Sequence, residues 1–483
     1  MAQTDPATLE QILAAAAEAS GPAAAATPAE RAAWLVAAAD ALDANADELT
    51  ALANSETNLP VAPRLQGELK RTTFQLRLFG EVLTDGEFLG ATVDHADPAW
   101  PMGPRPDIRR SLNPIGPVLV FAASNFPFAF SVAGGDTASG LAAGCPIIVK
   151  AHSGHPELSA RTGQIVKEAL AAAGAPAGIF DVIYGQPVGV AALNDPRIQA
   201  ASFTGSVPGG RALFDIASAR PRPIPFYGEL GSVNPVVVTP AALAERGEAI
   251  AKGYAGSFTM GAGQFCTKPG LLFLPEGHGL EDTLRESVAG IAGQAMLNDR
   301  IAAGYSEGVD KLRGVSGVEV LAEGGGKGPE FTPTLFATTA KSFLADADTV
   351  REECFGPASL IVTYTDQAEL ISLLDVIEPG LTATIQGEDS DADWVRPILP
   401  SLTKIAGRLL WNDWPTGVTV SWAQQHGGPY PATTAPTSTS VGTAAITRFQ
   451  RPIAWQSFPD ALLPEALQEA NPWQLPRRTD GRR

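Results

Sequence analysis

ELSARTGQIVKEALAAA (157–173) lies between two short apolar runs, PIIVKA (146–151) and FDVIY (180–184), and this arrangement decides the fold. The central stretch spaces its apolar residues at helical intervals and is followed by Gly174 and Pro176, which stop helices. The flanking runs are short and continuously apolar, as strands buried on both faces are. Strand, crossover helix and parallel strand make a βαβ unit. PVLVFAA (117–123) and AASF (200–203) extend the pattern on either side. Residues 117 to 210 therefore predict an open, doubly wound parallel sheet whose ligands bind at the carboxyl ends of its strands.

Outward from this core, residues 28–55 put Trp34, Leu35, Leu42 and Leu49 on one stripe, predicting amphipathic helix ahead of the sheet. A second alternation starts at PVVVTP (235–240), continues through a helical 241–258 and includes LLFLP (271–275) and SLIVTY (359–364). It predicts a second α/β domain. PYPATTAPTSTSVG (429–442) is too rich in Pro, Thr and Ser for a regular element and reads as an ordered surface loop. EGGGKG (323–328) lacks the Ser or Thr after Lys327 and has Leu321 where a phosphate loop needs glycine, so it reads as a turn.

The 483 residues, 45% hydrophobic, can fill two or three domain cores. A formal charge of −18 argues against nucleic-acid partners and anionic membrane surfaces. No apolar stretch is long enough to span a bilayer, and the acidic, Ala-rich N-terminus does not read as a signal peptide. Cys145, Cys266 and Cys354 are far apart and odd in number, which suggests neither a disulfide framework nor a metal site. His152 and His155 have ligand-like spacing but no further Cys or His partners nearby. A soluble cytoplasmic protein without metal is expected.

Three segments carry candidate chemistry: ASNFPF (123–128), YGELGS (227–232) and GAGQFCTKPG (261–270). A free cysteine is commonly just a small hydrophobe, but Cys266 stands in a Gly-rich polar stretch suited to an accessible thiol, whereas Cys145 opens an apolar strand. Glu229 and Asn125 each follow a strand, where they read either as turn and cap residues or as groups on the ligand edge of the sheet.

Taken together these motifs resemble the aldehyde dehydrogenase superfamily. ASNFP, Lys150 in IIVKAHSGHP, FTGSVPGGR (203–211), ELGSVNP (229–235), GQFCT (263–267) and EECFGP (352–357) occur in the family's order, and the last quarter is similar to its α-ketoglutaric semialdehyde branch. The resemblance implies a Rossmann-type cofactor domain (1–95 and 114–232), an α/β catalytic domain (233–460) and a small β oligomerisation element (96–113 and 461–483), joined in a homodimer or homotetramer. It implies Cys266 as the nucleophile, Glu229 as the base and Asn125 as the oxyanion donor. On the cofactor side it implies Lys150, Ser153, Gly205, Ser206, Leu230, Glu353, Phe355, Ala123 and Ser124. Ser153 stands where NAD-preferring relatives carry a glutamate that would repel a 2′-phosphate, so NADP is expected, with NAD also accepted. Phe126, Phe128, Phe265 and Thr267 flank the catalytic positions and are expected to line the substrate tunnel, with Trp422 and His426 near its mouth. His426 reads equally as a loop histidine. A substrate carboxylate would need a cation, for which Arg71 or Arg77 is available, and 2-oxoglutarate semialdehyde is the expected aldehyde. The alternatives are a fatty or simple aldehyde, or a non-catalytic protein on the same scaffold.

Overall fold

A computed structural model of the chain describes residues 3–325 and 331–482; the second half of EGGGKG lies outside them. Among the described residues the strands form three sheets. The first is wholly parallel, in the spatial order Phe180–Ile183, Ile147–Lys150, Val118–Phe121, Ala200–Thr204, Phe226–Glu229. This doubly wound order reverses direction at Val118–Phe121 and Ala200–Thr204, so a crevice opens at the carboxyl ends of those two strands. The expected crossover helix is Pro156–Ala172, which starts on proline and buries Leu158, Ile165, Val166 and Leu170 against the sheet. The amphipathic stretch 28–55 is two helices, Pro28–Ala44 and Ala46–Thr57, because the backbone leaves helical geometry at Asn45. All four stripe residues are buried, each contributing about 2 kcal/mol.

The second sheet has seven strands in the order Glu319–Glu323, Thr334–Thr339, Ala358–Tyr364, Leu271–Pro275, Pro235–Val238, Gly380–Gln386, Ala406–Trp411, antiparallel only at the first pair. The third is small: Gln450–Gln456, Ile108–Pro114, Thr92–Asp94, Arg478–Thr479. In it Thr92–Asp94 and Gln450–Gln456 both pair antiparallel with Ile108–Pro114.

PYPATTAPTSTSVG is ordered, as expected, but only part of it is at the surface, where Tyr430, Pro436 and Thr437 are exposed. Ala432, Thr433, Thr439, Ser440 and Val441 are buried, and the segment runs along the edge of the first sheet: Leu230 N donates to the Ala432 carbonyl (2.8 Å) and Gly228 N to Thr434 Oγ1 (2.8 Å). Thr and Ser hydroxyls serve here as partners for a sheet edge rather than for water.

The approach to the strand Leu271–Pro275 has an unusual backbone. Gly261, Ala262 and Gly263 all have positive φ (57°, 56° and 63°). A Cβ on Gly263 would lie 2.2 Å from the Gly356 carbonyl oxygen, so glycine alone lets this loop seat against residues 354–357. Gly263→Ala is expected to lower the thermal midpoint by several degrees, consistent with strain of about 1–3 kcal/mol. Gly256→Ala, at an exposed helical glycine with open space around it, should hold or raise the midpoint. Differential scanning calorimetry of the two variants makes the check.

Candidate active site

Asn125, Glu229 and Cys266 arrive at one place from three elements. Asn125 follows Val118–Phe121, Glu229 ends Phe226–Glu229, and Cys266 lies in the connection between the helix Pro240–Thr259 and the strand Leu271–Pro275. His426 closes the group. Its Nε2 is 2.8 Å from Glu229 Oε1 and 3.6 Å from Cys266 Sγ, and the ligand atoms of Glu229, Cys266 and His426 all lie within 4.8 Å of one another. His426 is therefore not a mouth residue: it is 1% exposed and touches both reacting groups. Ser440 donates a short hydrogen bond to the other carboxylate oxygen of Glu229. The Asn125 amide donates to the Gln264 carbonyl (3.1 Å), two residues from the sulfur.

The electrostatics follow from burial. Burial alone would push the Glu229 carboxyl up, but His426 and the hydrogen bonds from His426, Ser440 and Cys266 outweigh it and hold the group below its ordinary range. The Cys266 thiol goes the other way. Burial raises it well above its ordinary range, the charges of Glu229 and Glu353 add to this, and Arg408 opposes them. At neutral pH the arrangement is a protonated thiol facing an ionised carboxylate.

The nucleophile's loop is fixed from below. Asn234, fully buried, donates to the carbonyls of Cys266 (2.8 Å) and Lys268 (3.0 Å) while its own oxygen accepts from Ser232 and Thr382. Lys268 Nζ, also buried, donates to the carbonyls of Cys354 (2.8 Å) and Ala358 (2.7 Å). Thr267 is buried, and its hydroxyl accepts from Gly417 N (3.2 Å). It supports the loop from behind.

Of the expected tunnel aromatics, Phe126 and Phe265 meet edge to face at 5.2 Å, and Arg64 lies over both rings. Phe128 does not join them; it is packed in the core below the sheet. Phe130 takes its place, 5.5 Å from Phe126 and 6.2 Å from His426. The cause is local: Phe130 N bonds to the Phe126 carbonyl (3.2 Å), a helical-type turn that puts residues four apart on one side and the residue between them opposite. Glu68 holds that turn, its carboxylate accepting from Phe128 N and Ala129 N and pairing with Arg64. Trp422 is half-exposed. Arg71 is largely buried near the sulfur, whereas Arg77 is on the surface with Asp40 and Asp43.

On the nucleotide side, Lys150 ends the strand Ile147–Lys150 and has no ion pair among the described residues; burial lowers its pKa. Ser153, three residues on, is exposed. Gly205 precedes Ser206, which caps the helix Val207–Ala219 through Gly209 N. Leu230 packs on the first turn of that helix, since a Cβ on Gly210 would fall 2.1 Å from it. Glu353 reaches the same place: a Cβ on Gly231 would fall 2.2 Å from Glu353 Oε2 and 3.6 Å from Val207. Phe355 is half-buried two residues further along. Ala123 is buried, with its carbonyl accepting from His155 (3.0 Å), and Ser124 is half-buried. A lysine without an ion pair among the described residues and a capped helix N-terminus at the carboxyl edge of the sheet fit a dinucleotide.

The chain belongs to the aldehyde dehydrogenase family, whose signature matches residues 1–429. It is similar to α-ketoglutaric semialdehyde dehydrogenase 2 of Azospirillum brasilense, 49% identical over 461 residues covering 94% of this chain and 87% of that one. The α-ketoglutaric semialdehyde dehydrogenase of Acinetobacter baylyi is 44% identical over 90% of this chain and 83% of its own length. The crystal structure of γ-glutamyl-γ-aminobutyraldehyde dehydrogenase from Burkholderia cenocepacia superposes with a TM-score of 0.78 at 21% identity, over 94% of this chain and 90% of that one. A NAD-dependent aldehyde dehydrogenase from Sinorhizobium meliloti gives 0.78 at 24% identity, over 95% and 88%. The protein is an oxidoreductase acting on aldehydes with a nicotinamide nucleotide. Among the described residues no helix is long and apolar enough to cross a membrane.

Sequence reading missed Asn234, Lys268, Phe130, Ser440 and Glu68. Asn234 lies inside ELGSVNP and Lys268 inside GAGQFCTKPG, where a lone Asn before Pro and a Lys amid glycines are the available signals. Glu353 supplies a pH test, because burial raises its carboxyl to about 7. Unfolded chains ionise this group near pH 4.5 while the folded protein keeps the proton, so its contribution to stability falls as pH rises from about 4.5 to 7. Glu353→Gln should flatten the fall in thermal midpoint across that window.

Proposed function

We propose that the chain oxidises 2-oxoglutarate semialdehyde to 2-oxoglutarate through a thioester on Cys266, with NADP preferred over NAD. The cluster of Cys266, Glu229 and His426 within 4.8 Å, in which sulfur and imidazole come from positions 160 residues apart, carries this reading. The names of the Azospirillum brasilense and Acinetobacter baylyi relatives support the substrate.

The steps follow from the geometry. Glu229 accepts the thiol proton, and the thiolate attacks the aldehyde carbon. The developing alkoxide is held by the Asn125 amide and the Cys266 N–H, each donor worth about 3 kcal/mol. The bound nucleotide supplies the hydride acceptor that turns the tetrahedral adduct into a thioester. Glu229 passes the thiol proton to solvent, and with sulfur acylated the regenerated carboxylate takes a proton from water as the hydroxide attacks and the thiolate leaves. Aldehyde, oxidised nucleotide and water thus give carboxylate, reduced nucleotide and two protons, with no coenzyme A. His426, 2.8 Å from Glu229 Oε1, keeps the carboxyl group aimed at the sulfur.

The five-stranded sheet region would hold the nucleotide, the seven-stranded region the nucleophile, and the small sheet would mediate a homodimer or homotetramer in a reducing, cytoplasmic setting. Ser153 supports NADP: an exposed hydroxyl beside unpaired Lys150 gives a 2′-phosphate a donor and no repelling carboxylate.

Cys266→Ser is expected to abolish NADPH formation. Glu229→Gln should slow turnover by about 10²–10⁴-fold, yet it removes a negative neighbour, so the pH at which iodoacetamide alkylates Cys266 should move down. Unchanged alkylation with unchanged turnover would remove Glu229 from the mechanism. Ser153→Glu should reverse the nucleotide preference, read as the ratio of kcat/KM for NADP and NAD.

A further inference from the structure

Arg71 and Arg408 come from distant parts of the chain, the helix Gln66–Asp85 and the strand Ala406–Trp411. Both guanidiniums are moored to one loop, residues 415–418. Arg71 Nε donates to the Val418 carbonyl (3.3 Å), and Arg408 Nη2 donates to the carbonyls of Pro415 (2.9 Å) and Gly417 (3.1 Å). The loop in turn reaches the nucleophile, since Gly417 N donates to Thr267 Oγ1 beside Cys266. On its other side Arg71 lies over the Phe130 ring at 5.4 Å, the aromatic that faces His426. The two cations are therefore tied through one loop to the residue beside the sulfur.

What sets them apart is what they lack. Arg71 Nη1 and Arg408 Nε are buried without a hydrogen-bond partner, and neither residue has an ion pair among the described residues. Arg64 pairs with Glu68 and Arg77 with Asp40 and Asp43. An unsatisfied buried donor costs about 1–3 kcal/mol, more when charged. Burial disfavours the charged form of both arginines, and the charge of Cys266 acts on both in the opposite sense, so each lies within electrostatic reach of the sulfur. Two desolvated cations on one loop, each with a free N–H, are matched to a single anion presenting several acceptor oxygens.

We propose that Arg71 and Arg408 form a two-guanidinium clamp for a carboxylate at the far end of the substrate, which selects aldehydes carrying an acid group a few carbons from the carbonyl. This rests on the reading of Cys266 as the nucleophile of an aldehyde dehydrogenase. The clamp supplies what the aromatic wall of Phe126, Phe130 and Phe265 cannot, a reason to prefer an acid aldehyde over its neutral analogue.

The test compares succinic semialdehyde with butanal, which has the same carbon count and no acid group. The wild-type ratio of kcat/KM, acid over neutral, should be well above one. Arg71→Met and Arg408→Met should each cut that ratio by about 30-fold or more, through KM for the acid aldehyde. Arg71→Lys and Arg408→Lys should recover part of it, because charge returns without the fork. Equal loss on both aldehydes, or an unchanged ratio, would overturn the clamp. Glutarate provides a readout independent of turnover: it should raise the thermal midpoint of the wild type and not of the Met variants. Failure to oxidise any aldehyde would refute the thioester reading, whereas glutarate binding that survives both Met substitutions would refute the clamp alone.

Discussion

The structure depends on one buried charge. Glu229 is 4% exposed, and an ionised carboxylate there is tolerable only because every side of it is occupied by a donor. Ser440, His426 and Cys266 supply those donors from three separate stretches of chain. The backbone around it is equally constrained: Gly205 N donates to the Glu229 carbonyl, and Thr433 bridges to Glu229 as a short strand partner. The end of the strand Phe226–Glu229 is thus where the cofactor-side turn, the C-terminal loop and the nucleophile loop are all tied. Removing any one donor leaves a charge that the others must carry, which makes the site and the packing of the two large sheets a single problem.

That same charge sets the reactivity. A carboxylate close to a buried sulfur raises the thiol's proton affinity, so the resting enzyme holds a neutral thiol rather than a free thiolate. A neutral, buried thiol is less open to oxidation than a free thiolate. The sulfur and the carboxylate lie within 4.8 Å of each other.

Much of this was legible in the sequence where local rules act alone. The crossover helix, the parallel strands and the second α/β region follow from periodicity and helix stops, and the three segments singled out for Asn125, Glu229 and Cys266 are those the fold brings together. What was not legible depends on where a chain goes after it leaves an element. Phe128 and Phe130 are equivalent to any composition argument, and only the turn closed by Phe130 N decides which one faces the substrate. His426 sits in a loop with no periodicity, 160 residues from the sulfur it touches. The Pro- and Thr-rich run 429–442 has a surface composition and a partly buried position, because its hydroxyls pair with a sheet edge rather than with solvent. Arg408 lies in a strand whose register alone brings it to the loop that Arg71 also holds.

The overall charge sharpens the part that the buried arginines play. With 52 acidic and 34 basic residues, the protein as a whole repels anions, and at physiological ionic strength that repulsion is screened beyond about 8 Å. Neither a phosphorylated nucleotide nor an acid aldehyde is drawn in by the global field, so recognition has to come from a few cations placed at short range. Such cations are effective only where water and neighbouring acids are kept away, since a surface arginine with a carboxylate partner offers an incoming anion little. Arg77, held by Asp40 and Asp43, is of that kind. Arg71, Arg408 and Lys150 are the opposite, unpaired and at least half desolvated, and the low dielectric that makes them costly to hold without an anion strengthens their attraction to one that fits.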